Sequence, residues 1–132
     1  MKSLIPKTIR APFGNYSHGV ALPVGARLVL TSGQLGVRPD DSVPDTIEQQ
    51  AEQCFENIGA ILNEVDMDFS DIVRLNAFVT DRQYFAGYMS VRDRYLSPPY
   101  PTSTLVIVSG FTRPEFLVEV EATAAKIDPD AT

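Results

Sequence analysis

Ile47, Ala51, Cys54, Ile58, Ile61 and Val65 recur at steps of four and three. That spacing places six apolar side chains on one stripe of an α-helix. The other side carries Gln49, Glu52, Gln53, Glu56 and Asn63, so the helix has one dry face and one wet face. A helix of this kind is stable only when its stripe is covered, and most of its stability comes from that packing. Asp45-Thr46-Ile47-Glu48 reads as a capping box at its start, with Asp45 accepting a backbone N–H and Glu48 reaching back.

The neighbouring segments supply a sheet. In Asp71 to Thr80, Val73, Leu75, Ala77 and Val79 alternate with Arg74 and Asn76, while Ile72 and Phe78 make the other face partly apolar. In Phe116 to Ala125, Val118, Val120, Ala122 and Ala124 share one face, and Leu117, Glu119, Glu121 and Thr123 the other. Ser103 to Ser109 is a further strand. Val20 to Leu22 and Arg27 to Thr31 read as a hairpin around Pro23-Val24-Gly25, followed by a loop from Gly33 to Pro44. Asp81 caps a second helix carrying Phe85, Met89 and Leu96, which Ser97-Pro98-Pro99 ends. The predicted order is β-β-α-β-α-β-β, an α+β fold with two helices on one face of a mixed sheet.

Two helices cover one sheet face, yet Leu105-Val106-Ile107-Val108 is apolar on both faces of its strand. Something else must bury the second face, because an exposed apolar sheet invites association. The expectation is a homo-oligomer packed sheet against sheet.

Composition narrows the function classes. A chain of 132 residues forms one domain, residues 1–132, large enough for its own core. A formal charge of −6, with Lys and Arg scattered singly, argues against a nucleic-acid partner. Cys54 is the only cysteine and suits a reducing compartment. No apolar run reaches the roughly 18 residues of a membrane span, and residues 1–7 lack a signal-peptide core, which points to a cytoplasmic protein. His18 is the only histidine, so a metal site is not expected. No phosphate-binding glycine loop or Ser-His-Asp arrangement is present.

Ala11-Pro12-Phe13-Gly14-Asn15-Tyr16-Ser17, Thr31-Ser32-Gly33-Gln34, Gln49 and Asn57, Asp71-Ile72-Val73, Phe85-Ala86 and Val118-Glu119-Val120-Glu121-Ala122 occur in this order. Together they resemble the RidA (YjgF) family over about the whole chain. The resemblance implies a chorismate-mutase-like fold forming a homotrimer, with six-stranded sheets in a central barrel and helices outside. It also implies clefts between subunits in which reactive enamine or imine metabolites of the 2-aminoacrylate/2-iminopropanoate type are hydrolysed to 2-oxo acids and ammonia, with no cofactor and no metal. By the same resemblance Glu119 positions or activates water, Tyr16 lines the pocket, and Ser32 and Gly33 supply contacts to the substrate.

Three positions depart from the family pattern. Ser103, in Pro101-Thr102-Ser103-Thr104, stands where the family arginine grips a carboxylate. Met89 replaces a common asparagine beside the pocket, and Leu105 a common cysteine. An arginine fork makes charge-assisted bonds worth about 1.5–3 kcal/mol each, which a serine hydroxyl does not replace. Arg10 and Arg113 are conceivable substitutes, being in loops. The expected function is therefore a RidA-like deaminase with an altered substrate range. The alternative is a non-catalytic trimer binding a small metabolite or partner enzyme in the same clefts. An RNA-cleaving role fits the acidic charge poorly.

Overall fold

A computed structural model describes residues 1–128. Its strands are β1 (Lys2–Leu4), β2 (Gly19–Ala21), β3 (Arg27–Leu30), β4 (Gln34–Leu35), β5 (Ile72–Val79), β6 (Thr102–Ile107) and β7 (Val118–Lys126); its helices are α1 (Ile47–Asn63) and α2 (Phe85–Tyr95). The main sheet runs β3-β7-β5-β6, with β4 also on β7. β7 is antiparallel to β3, β4 and β5, whereas β5 and β6 are parallel, joined through α2. The α+β class and the mixed sheet with two helices are as the sequence predicts.

Four details differ from the sequence-based expectation. β2 does not pair with β3: the Pro23 to Ala26 turn forms, but β2 pairs with β1 and β3 with β7. The sheet accordingly has five strands rather than six, with β1 and β2 a separate ribbon. The 33–44 loop contains the two-residue strand β4. The N-cap of α1 is Thr46, not Asp45; its Oγ1 accepts the Gln49 N–H at 3.2 Å. Asp81 caps a short 3-10 turn at Arg82–Tyr84, accepting from Gln83 N, and α2 follows without a side-chain cap.

The core lies between the helices and one sheet face. Ala51, Cys54, Phe55, Ile58 and Leu62 of α1 meet Leu75, Val79, Val118 and Val120 of the sheet, all fully buried. Each such aliphatic or aromatic side chain contributes about 1.5–3 kcal/mol by leaving water. Gln50 is buried among them, and its amide is fully used. Nε2 donates to the carbonyls of Pro44 (2.9 Å) and Glu115 (2.8 Å), and Oε1 accepts the Leu117 N–H at 2.9 Å. It ties the loop before α1 to the entry of β7.

Leu28, Leu30 and Val106 are 51%, 71% and 45% exposed. Register places Leu30 opposite Thr123 and Val106 opposite Phe78, on the sheet face turned away from the helices. The sequence expectation of an apolar second face is met within the single chain.

Candidate functional site

Between the N-terminal segment, α2 and β6 lies a cavity of about 410 Å³, lined by Phe13, Gly14, Tyr16, Phe85, Met89, Ser103 and Leu105. Ser103 and Leu105 are two apart on β6, in register with buried Leu75 and Ala77, so both point to the helix side of the sheet. Phe85 and Met89 are one helical turn apart on α2. Tyr88, Val91 and Arg92 are the buried residues of α2, leaving Phe85 47% exposed and Met89 half-buried on the cavity wall.

The loop bearing Phe13, Gly14 and Tyr16 is held by α2 and by the segment before β6. Arg92 is fully buried, and its Nη2 donates to the Asn15 carbonyl at 2.7 Å while Nη1 pairs with Asp93 at 2.9 Å. Ser17 donates through its backbone N–H to the Pro101 carbonyl (3.0 Å) and through Oγ to the Tyr100 carbonyl (2.6 Å). The Phe13 N–H donates to the Tyr16 hydroxyl at 3.1 Å, so the tyrosine O–H remains able to donate into the cavity. Arg10 stacks on Phe13, its guanidinium carbon 3.7 Å from the ring centre.

Glu119 is elsewhere. It is in register with Phe78 of β5 and Leu35 of β4, on the sheet face opposite Ser103. Ser32 and Gly33 form the break between β3 and β4, two short strands laid along the same edge of β7. Gly33 lets the Glu119 carboxylate lie against the backbone at this break, since a Cβ there would be 2.6 Å from the Glu119 Cδ. Ser32 is exposed, and its carbonyl accepts the Gln34 side-chain amide at 3.2 Å. Cys54 donates its thiol to the Gln34 carbonyl at 3.1 Å from the core side.

The six residues singled out from sequence therefore fall into two groups. Tyr16, Met89 and Ser103 meet in the cavity; Gly33 and Glu119 meet on the other face, with Ser32 at the chain break beside them. The first group offers apolar walls and two hydroxyls, the second a carboxylate. The first alone can bind a small molecule but has no group able to take a proton from water. Of the two suggested substitute cations, Arg113 pairs with Glu115, stacks on Phe116 and does not line the cavity, whereas Arg10 sits on a cavity residue. Phe85 and Arg92 went unread as site residues. The spacing Phe85–Met89 and an arginine four residues from Tyr88 on the buried face are the signals that mark them.

The model for the family described as "Endoribonuclease L-PSP" matches residues 8–126. The chain belongs to the RidA family. A curated relative in Escherichia coli K12, named "Putative reactive intermediate deaminase TdcF", is 33% identical, the match covering 96% of this chain and 98% of TdcF. Among solved structures, RidA from a Psychrobacter species is 32% identical with TM-score 0.70, covering 94% of this chain and 98% of that one. The structure of E. coli TdcF with bound serine is 29% identical with TM-score 0.70, covering 96% and 99%. These RidA-family neighbours share the chorismate-mutase-like fold described above.

Among the described residues, no cluster of three or more His, Cys, Asp or Glu side chains gathers at either group, and no helix is long and apolar enough to cross a membrane.

Proposed function

We propose that this RidA-family protein is a hydrolytic deaminase of reactive enamine or imine metabolites, with a substrate range altered by Ser103. The observation that carries this reading is the packing of Gly33 against Glu119, which holds a half-buried carboxylate on the uncovered sheet face. In a homotrimer built sheet to sheet, the cavity of one subunit would meet the Glu119 group of its neighbour. Burial of Leu28, Leu30 and Val106 supplies the driving force for that assembly.

The chemistry needs one water and no cofactor. Water adds to the imine carbon, Glu119 accepting one proton as the C–O bond forms and passing it to the nitrogen. The carbinolamine hydroxyl then gives up its proton, by way of Glu119, to the amino group as the C–N bond breaks, and ammonia leaves a carbonyl product. Tyr16 and Ser103 can donate hydrogen bonds to the substrate from the opposite wall. A neighbouring subunit's walls would exclude bulk water, strengthening each of these interactions.

The comparison of wild type with Glu119→Gln in an assay with 2-aminoacrylate or 2-iminobutanoate and with carboxylate-free imines tests this. Loss of turnover in the variant at unchanged folding is the expected result. Equal turnover of every substrate by both proteins would remove Glu119 from the mechanism. A non-catalytic binding role is favoured by the absence of charged side chains on the cavity wall. It would be supported by ligand-induced thermal stabilisation without turnover of any imine. An RNA-cleaving role fits poorly with a net charge of −6 and scattered basic residues.

A further inference from the structure

Among the residues lining the cavity the only ionisable side chain is Tyr16; Arg10, stacked on Phe13 but not itself lining the cavity, is exposed and donates to the Ala11 carbonyl. On the opposite sheet face Glu119 and Glu121 lie two residues apart on β7, and Asn76 donates to Glu121 at 3.0 Å. Arg74, on the same face, is four residues along β5 from Phe78, about 13 Å at 3.3 Å per residue. Arg92 lies behind the cavity, fully buried and already committed to Asn15 and Asp93.

We infer that the substrate is an imine, or its protonated iminium, that bears an apolar substituent and no carboxylate. This rests on the deaminase reading and names its substrate class. A carboxylate brought into this site meets no cation among the lining residues, only the exposed Arg10 stacked on Phe13, and two carboxylates on the facing group, so its lost hydration is poorly replaced. An iminium nitrogen meets the reverse situation: Glu119 attracts it. Phe13, Phe85, Met89 and Leu105 provide contact for an aliphatic or aromatic chain, and about 410 Å³ accommodates more than a two- or three-carbon metabolite. The Ser103 hydroxyl offers a neutral donor where a charged fork would select an acid. The reaction balances as R–CH=NH + H₂O → R–CHO + NH₃.

A matched pair tests the assignment. An amine oxidase acting on isopentylamine makes a carboxylate-free imine, and an L-amino-acid oxidase acting on leucine makes the 2-imino acid with the same side chain. Semicarbazide traps whichever imine persists, and hydrolysis is read as the fold drop in trapped imine. The expected result is at least a roughly tenfold preference in kcat/KM for the carboxylate-free member, shifted toward the acid by Ser103→Arg. Equal or faster hydrolysis of the 2-imino acid overturns the assignment while leaving the deaminase reading standing. Loss of that activity in Arg10→Ala, or in Arg82→Ala at the turn before α2, would then locate the cation. Hydrolysis of neither member overturns both readings.

Discussion

Ser103 and Glu119 lie on opposite faces of one sheet: Ser103 is in register with Leu75 on the helix side, and Glu119 with Phe78 on the uncovered side. Both belong to strands that pair with β5, yet their side chains diverge because Leu75 and Phe78 are an odd number of residues apart. A single chain therefore does not assemble a cavity containing both.

This divergence makes complementation between subunits a direct test of the proposed composite site. Glu119→Gln removes the proposed proton acceptor, and Leu105→Arg fills the cavity; each alone should be inactive. Co-expressed in equal amounts, they should regain activity in about a quarter of the clefts of a cyclic oligomer, where two unaltered halves meet. No recovery, with mixed oligomers verified by mass spectrometry, would place both halves in one subunit or nowhere.

Gly33→Ala should separate activity from stability. The added methyl would sit 2.6 Å from Glu119 Cδ and 2.9 Å from Oε1, so the carboxylate end must swing away. A flexible side chain moves cheaply, and the expected stability loss is below about 1 kcal/mol. In contrast, kcat/KM should fall roughly tenfold or more, as for a displaced catalytic group. Thermal melting and steady-state kinetics on the same preparation decide this; intact activity would show that Glu119 works in another rotamer.

Gln50→Leu keeps volume but leaves the Leu117 N–H and the carbonyls of Pro44 and Glu115 without their partner. The expected cost is about 2–4 kcal/mol, since unmade buried hydrogen bonds carry the desolvation penalty. Urea denaturation measures it. A change below about 0.5 kcal/mol would mean that water reaches all three groups.

Alkaline pH should destabilise the fold. Burial, with the Glu119 charge adding to it, pushes the Cys54 thiol up to about 12 from its ordinary 9.0. The unfolded chain thus loses this proton near pH 9 while the folded chain keeps it, so stability is flat below pH 9 and falls from there toward 12. Burial first, then the hydrogen bond to Glu56, raises Tyr95 to about 12, and burial raises Tyr88 as well, adding to the same trend. Urea midpoints from pH 8 to 11 should decline, less steeply in Cys54→Ala. Parallel slopes for the two proteins would show that Cys54 does not contribute.

Much of the architecture is legible in local patterning. Alternation in residues 118–125 separates the buried row Val118, Val120, Ala122, Ala124 from the row containing Glu119, and the structure keeps that separation. The stripe on α1 predicts Ala51, Cys54 and Ile58 as core for the same reason: side-chain direction follows from the backbone period alone. Local spacing was misleading where a tertiary partner intervened. The β2–β3 hairpin gave way because β2 pairs with β1 and β3 with β7, and the 85–89–96 spacing did not show that Tyr88, Val91 and Arg92 form the buried face of α2.

The sequence by itself determined the element types, the inner and outer rows of β7, the apolar second face and the absence of an arginine at Ser103. Tertiary structure decided what lies across from what. The burial of Arg92 beneath Asn15, the closure of Gly33 on Glu119 and the placement of Ser103 away from Glu119 each join residues 77, 86 or 16 positions apart. Such relations depend on strand register and packing direction, which no local period encodes.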